Sequence, residues 1–257
     1  MKAVILAGGL GTRIGEDTAT RPKPMIEIGD TPILVHIMNY YSSFNINEFI
    51  ICCGYKGYFI KEYFSNYIQH RSDFTLDMEK NDIIFHNKNT RDWKVTLVDT
   101  GKDTMTGGRL KRVKNFLKND ESFHFTYGDG LADVNLSELE KFHNKHGKLA
   151  TVTSVTPPGR FGALVIEGNE VKKFQEKPIG DGGRINGGFI ILNPSVIDYI
   201  TDDASVWEQE PLIDLASSGN LMAYNHDGFW QPMDTLRDKL MLVDMIKNGK
   251  APWINNV

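Results

Sequence analysis

Short apolar runs alternate with helical patterns through the first half of this chain, and that rhythm constrains its fold more than any other feature. Residues 2–7, 48–53, 94–98 and 122–127 read as strands, and 32–44, 58–68 and 108–117 as the helices between them. In the first helix Ile33, Leu34, Ile37, Met38 and Tyr41 recur at helical spacing, and in the third Leu110, Val113, Phe116 and Leu117 do the same. Strand–helix alternation predicts an α/β fold with a mixed, mainly parallel sheet flanked by helices. After Leu149 the rhythm changes. Strands are expected at 149–155, 163–167, 171–176, 187–192 and 221–225, and helices at 207–217 and 235–248. Gly168-Asn169 reads as a hairpin turn. No composition shift or repeat marks a linker, so 1–257 reads as a single domain. The polar segment 73–93 fits neither period and reads as an excursion carrying oligomer contacts.

A net charge of −4 over 257 residues argues against a nucleic-acid surface, which is normally basic. No apolar run approaches the roughly 20 residues that cross a bilayer, and the amino terminus is too short in its apolar part for a signal peptide. Cys52 and Cys53, adjacent at the end of an apolar run, read as small buried hydrophobes. Without a disulfide framework the cytoplasm is the default location.

The first strand opens into Leu6-Ala7-Gly8-Gly9-Leu10-Gly11-Thr12-Arg13. Glycines there let the backbone approach a ligand and turn N–H groups towards phosphate oxygens. The spacing matches neither the dinucleotide fingerprint nor the P-loop. Arg13 adds a planar fork suited to a polyphosphate. Lys23, between Pro22 and Pro24, is expected on extended backbone that holds its ammonium in place. Asp129, in Gly128-Asp129-Gly130, follows a strand at the sheet edge where open α/β folds bind ligands; an ordinary turn residue is its plain alternative. Asp234 stands just before the last helix, where capping is the plain alternative. Two carboxylates distant in sequence suit a Mg²⁺ site for phosphate chemistry. Thr104 and Arg109 flank the start of a helix, and Arg109 in a first turn opposes the dipole unless an anion offsets it. Glu176-Lys177 ends a strand, and Asn186-Gly187 precedes another with a side chain that both donates and accepts. His143 and His146 share helical spacing but have no third ligand; exposed or capping roles are expected.

Gly8-Gly9-x-Gly11-Thr12-Arg13 followed by Pro22-Lys23-Pro24 resembles the signature of sugar-1-phosphate nucleotidyltransferases. The resemblance implies a Rossmann-like fold with added β-hairpin and sugar-binding elements. Residues 1–148 then form mainly the nucleotide-binding half and 149–257 mainly the sugar-binding half. It implies catalytic roles for Arg13 and Lys23, and nucleotide contacts from residues 6–13, Thr104, Arg109 and Gly128. It assigns Lys23, Glu176, Lys177, Asn186 and Gly187 to the sugar phosphate, and Asp129 and Asp234 to Mg²⁺. Further segments, among them Pro157-Pro158-Gly159-Arg160-Phe161-Gly162, Trp207-Glu208-Gln209-Glu210-Pro211-Leu212 and Phe229-Trp230-Gln231-Pro232-Met233-Asp234-Thr235, are similar to the family's cytidylyl-transferring branch. That branch implies CTP and glucose 1-phosphate as substrates, CDP-glucose as product, a homohexamer, and a place in making deoxysugars for bacterial surface polysaccharide such as lipopolysaccharide O-antigen. The alternatives are a uridylyl- or thymidylyltransferase of another sugar 1-phosphate, a non-catalytic sugar-nucleotide-binding regulatory subunit, and a metal-dependent glycosyltransferase. Arg13, Lys23, Asp129 and Asp234 together weigh against the second, and the glycine loop against the third.

Overall fold

The protein is described here by a computed structural model covering residues 1–11, 14, 20–87, 90–157, 163–167, 170–175 and 183–254. The principal strands are β1 (Lys2–Ala7), β2 (Glu48–Cys53), β3 (Lys94–Asp99), β4 (Phe123–Tyr127), β5 (Ala150–Val155), β6 (Ile185–Asn186), β7 (Ile190–Leu192) and β8 (Leu221–His226). The helices that cover them include α1 (Ile33–Ser42), α2 (Gly57–Ser65), α3 (Thr106–Arg112), α4 (Leu136–His146), α5 (Glu210–Ser217) and α6 (Leu236–Lys247). The eight strands form one sheet in the order β6-β5-β7-β4-β1-β2-β3, with β8 paired to β5. The pairs β4–β1, β1–β2, β2–β3 and β5–β8 are parallel, and the pairs of β5 with β6 and β7, and of β7 with β4, are antiparallel.

Burial on both faces explains why the parallel strands read as continuous apolar runs. Ala3, Ile5 and Ala7 of β1 point into one core with Ile33, Leu34, Ile37 and Met38 of α1. Val4 and Leu6 point into the other, with Leu110, Val113 and Trp207. Cys53 and Cys52 divide in the same way and are free, buried thiols; burial pushes Cys53 up to about 11. Successive side chains on a strand face opposite ways, so the two sulfurs stand on opposite faces of the sheet.

Three local expectations are corrected. The 108–117 helix is instead α3 followed by a tighter turn, Lys114–Phe116. Three residues per turn rotate Phe116 outwards, and it is 44% exposed where a core position was expected. The 187–192 strand starts only at Ile190, as β7: Gly187 is outside any strand, and Gly188 and Phe189 take positive φ of 73° and 46°, which separates β7 from β6. The 58–68 helix breaks at Asn66 into α2 and Tyr67–Arg71. The excursion forms a hairpin, Phe74–Asp77 with Asp82–Phe85, outside the main sheet. The Gly168-Asn169 turn lies outside the described residues.

His143 is neither exposed nor a cap. It is buried on α4 and, with His146, converges on the Thr151 hydroxyl at 2.8 and 2.7 Å. One hydroxyl carries one proton, so the bonds have directions. His146 Nδ1 accepts the Lys148 N–H, which leaves its Nε2–H to donate to Thr151. Thr151 then donates to His143 Nδ1, which must stay unprotonated. Burial, followed by the neighbouring His146, lowers His143 to about 4.

Candidate active site

The register places the carboxyl ends of four parallel strands side by side: Leu6 opposite Tyr127, Ala7 opposite Cys53, and Cys53 opposite Asp99. The glycine loop, Gly54, the 100–104 segment and Gly128-Asp129 therefore leave the sheet at one edge. A cavity of about 470 Å³ opens there. Of the residues expected at the nucleotide, Leu6, Ala7, Gly8, Gly9, Leu10, Gly11, Thr104, Arg109 and Gly128 line it, beside Lys23, Asp129 and Asp234. Thr12 and Arg13 lie outside the described residues.

Gly8 must be glycine because Arg109 lies against it: a Cβ there would stand 2.2 Å from the guanidinium. Arg109 is 5% exposed and donates to Gly8 O at 3.1 Å, Gly101 O at 2.7 Å, Lys102 O at 3.2 Å and Thr100 Oγ1 at 2.8 Å. It thus fastens the glycine loop to the segment after β3. The first-turn reading of Arg109 is corrected. The helix starts at Thr106 and spans seven residues, which puts Arg109 in its last turn, where a cation suits the dipole. Burial lowers its pKa, and carbonyl dipoles rather than a carboxylate surround the charge.

Lys23 also departs from expectation. Pro22 is extended, but Lys23–Met25 forms a single tight turn closed by Met25 N–H to Pro22 O at 2.8 Å. Pro24 has no N–H to lose at that position. The turn aims Lys23 Nζ between two carboxylates, 2.6 Å from Asp129 Oδ2 and 2.8 Å from Asp234 Oδ1. Burial alone would lower the ammonium; the Asp129 and Asp234 carboxylates outweigh it and raise the pKa.

Asp234 reaches Asp129 because two short strands, Gly130–Ala132 and Trp230–Pro232, pair antiparallel, and Met233 N–H bonds Asp129 O at 2.8 Å. Its capping alternative falls away. Thr235 caps α6 in a reciprocal box with Asp238, so the cap does not use the Asp234 carboxylate, which meets Lys23 and borders the cavity.

A second cavity of about 190 Å³ lies behind this one and shares Tyr127, Asp129 and Asp234 with it. Asn186 and Gly187 line it, together with Phe189 and Trp230. Glu176 and Lys177 lie outside the described residues. Sequence reasoning missed Lys102, Met105, Thr106 and Tyr127 in the first cavity and Trp230 in the second. Local signals were there for Tyr127, abutting Gly128-Asp129, for Met105 and Thr106, between Thr104 and Arg109, and for Trp230, in the segment that ends in Asp234-Thr235. Burial, then the Glu208 carboxylate, pushes the Tyr127 phenol far above the usual value.

A cavity floored by strand ends and a glycine loop, with a lysine between two carboxylates at the mouth of a second cavity, is built to hold two anionic reactants together. The chain belongs to the nucleotidyl transferase family, whose model matches residues 2–231. It is 62% identical to the glucose-1-phosphate cytidylyltransferase of Salmonella typhi, over 98% of each chain. It is 44% identical to the probable glucose-1-phosphate cytidylyltransferase of Bacillus subtilis, over 98% of this chain and 99% of that one. The crystal structure of HddC from Yersinia pseudotuberculosis shares the fold, with a TM-score of 0.71 at 22% identity over 95% of this chain and 99% of that one.

Proposed function

We propose that this nucleotidyltransferase transfers a cytidylyl group from CTP to glucose 1-phosphate, giving CDP-glucose and pyrophosphate. The observation that carries the reading is the shared wall: the two cavities meet at Asp129, Asp234 and Tyr127, with Lys23 aimed at the junction. CTP takes the larger cavity, its triphosphate along the glycine loop that leads to Thr12 and Arg13, its base towards Thr104 and Arg109. Glucose 1-phosphate takes the smaller one, at Asn186 and Gly187, with Glu176 and Lys177 on the sugar. The chain works as one domain with a nucleotide half and a sugar half.

A phosphate monoester has a second pKa of about 6, so the sugar phosphate is mostly a dianion near neutral pH and needs no general base. Its oxygen attacks the α-phosphorus; the new P–O bond forms as the bond to the β-phosphate breaks and pyrophosphate leaves with that electron pair. The protein's work is to bring the reactants together and offset charge. Lys23, freed from one carboxylate, reaches a phosphate oxygen; Arg13 grips the departing phosphates.

Asp129 and Asp234 fit Mg²⁺: both offer oxygens, and their common ammonium shows that these converge on one point. Among the described residues no group of three or more acidic, histidine or cysteine side chains could hold a metal, so two carboxylates with water and phosphate oxygens are the matching donor set. Bound Mg²⁺ would neutralise charge on the phosphates.

Homohexamer assembly, a cytoplasmic location and supply of deoxysugar precursors for surface polysaccharide complete the reading. The hairpin at 74–85 supports assembly. Phe74, Leu76 and Ile83 share one face and are 41%, 49% and 38% exposed, more apolar surface than a lone two-stranded ribbon sustains. No helix among the described residues is long and apolar enough to cross a membrane. The decisive assay mixes the protein, Mg²⁺ and glucose 1-phosphate with each nucleoside triphosphate in turn and measures pyrophosphate. CTP should lead; equal or greater release with UTP or dTTP overturns the base assignment, and release without sugar phosphate overturns the reaction.

A further inference from the structure

Glu208 lines neither cavity, yet it receives a hydrogen bond from a residue of each. Tyr127 O–H donates to its Oε1 at 2.5 Å, and Thr106 O–H donates to its Oε2 at 2.7 Å. Trp207, fully buried in the core beneath, fixes the position of its neighbour and donates its backbone N–H to Thr106 Oγ1 at 2.9 Å. A carboxylate only accepts, so both hydroxyl protons must point at Glu208. The direction then propagates. Tyr127 has no proton left, and its oxygen accepts from Asn186 Nδ2 at 3.3 Å. Asn186 Oδ1 is held by the Gly188 N–H at 3.0 Å, so the amide cannot turn over without losing both contacts. Of these side chains, only Asn186 has a polar hydrogen to spare for the second cavity.

We propose that Glu208 is a positioning and specificity-determining residue: through Tyr127 and Asn186 it makes this wall of the second cavity a donor, so that the wall selects a sugar phosphate by a hydroxyl that accepts. This rests on the reading that the second cavity takes the sugar. Glutamine at 208 keeps the shape but has one acceptor and one donor end, so one hydroxyl must reverse. Thr106 Oγ1 already accepts the Trp207 backbone N–H and needs an acceptor for its proton, so the amide end faces Tyr127, which then donates towards Asn186, and Asn186 must flip.

The test is steady-state kinetics of E208Q against wild type with glucose 1-phosphate and its deoxy and deoxyfluoro analogues, and calorimetric titration of CTP alone. A fluorine accepts but cannot donate. Wild type should therefore use one fluoro analogue at least fivefold better than the matching deoxy compound, and E208Q should lose that preference. E208Q should also raise KM for glucose 1-phosphate about tenfold, with kcat and CTP affinity within threefold. Y127F, which removes the relaying hydroxyl and leaves the Asn186 amide oriented by the Gly188 N–H alone, should weaken the preference in the same direction should E208Q fold poorly. Unchanged discrimination in both variants overturns the proposal, as does equal weakening of CTP and sugar phosphate, which marks a merely structural role. A wild-type protein whose pyrophosphate release does not depend on sugar phosphate fails at the underlying reading instead.

Discussion

Arg109→Lys should separate a fastening residue from a surplus charge. Besides a long contact to Cys53 O at 3.4 Å, the arginine makes four hydrogen bonds of 2.7–3.2 Å from two nitrogens, spanning the glycine loop and the 100–102 segment. Lysine has one nitrogen on a different stem and keeps about two of the four. A hydrogen bond involving a charged group contributes about 1.5–3 kcal/mol, but the released carbonyls border a cavity and rehydrate, which cuts each loss to about 1 kcal/mol. The expected destabilisation is about 2 kcal/mol, or roughly 4–8 °C in Tm for a chain of this size. Gly8 keeps its bond from the Tyr55 N–H at 3.1 Å, so the loop loosens without leaving. Ordering it again on binding should weaken CTP by about tenfold, near 1.4 kcal/mol. Denaturant unfolding and calorimetric titration of CTP measure the two effects. Arg112→Lys is the control: its pair with Asp203 is solvent-exposed and should contribute little to stability. Full stability in Arg109→Lys would refute the fastening role, and lost stability with unchanged CTP affinity would refute its connection to the nucleotide.

Asp234→Asn should lower kcat at least a hundredfold and leave stability within about 1 kcal/mol, whereas Thr235→Ala should cost about 1 kcal/mol of stability and spare kcat, since the cap and the carboxylate belong to different residues. Parallel unfolding curves and kinetics check both. Lys23→Met removes the counter-ion of two part-buried carboxylates, so the variant should melt lower than wild type, gain more Tm from added Mg²⁺ and lose most of kcat. Stability should also fall in acid through His143, whose folded value of about 4 lies below its ordinary 6.5. The folded state resists a proton that the unfolded chain takes up, so the contribution is complete above pH 6.5 and fades as pH drops towards 4. With each unit near 1.4 kcal/mol, about 3 kcal/mol should vanish by pH 4, and His143→Asn should flatten that part of the urea-derived profile.

The strands nearest the site were legible because β1 and β2 are buried on both faces, which leaves continuous apolar runs between helices of clear period; their order in the sheet was not. Lys23, Asp129 and Asp234 were legible by type and setting. Their convergence was not, because it depends on the pairing of 130–132 with 230–232, two three-residue strands too short to show a period. Arg109 was singled out for a reason the structure reverses. Its partners are mainly backbone carbonyls, which every residue has and no sequence displays. Phe116 and His143 failed for related reasons: a change of helical pitch in one case, and in the other a polar partner on the next strand that makes burial tolerable.

The charges of the site explain why two cavities rather than one are needed. A triphosphate and a sugar phosphate repel each other, and their approach must be offset where they meet rather than at either far end. Lys23 stands at that junction, held by two carboxylates that also turn towards both cavities. Arg109 sits behind Gly8, its fork turned to carbonyls, so its charge acts through the loop it shapes and the field it adds to the wall. A lysine bound by two acids is neutralised until a phosphate or a cation changes its partners. On the proposed reading, the cost of loosening the ammonium from a carboxylate falls on substrate binding, and its charge turns to a phosphate oxygen once one has arrived.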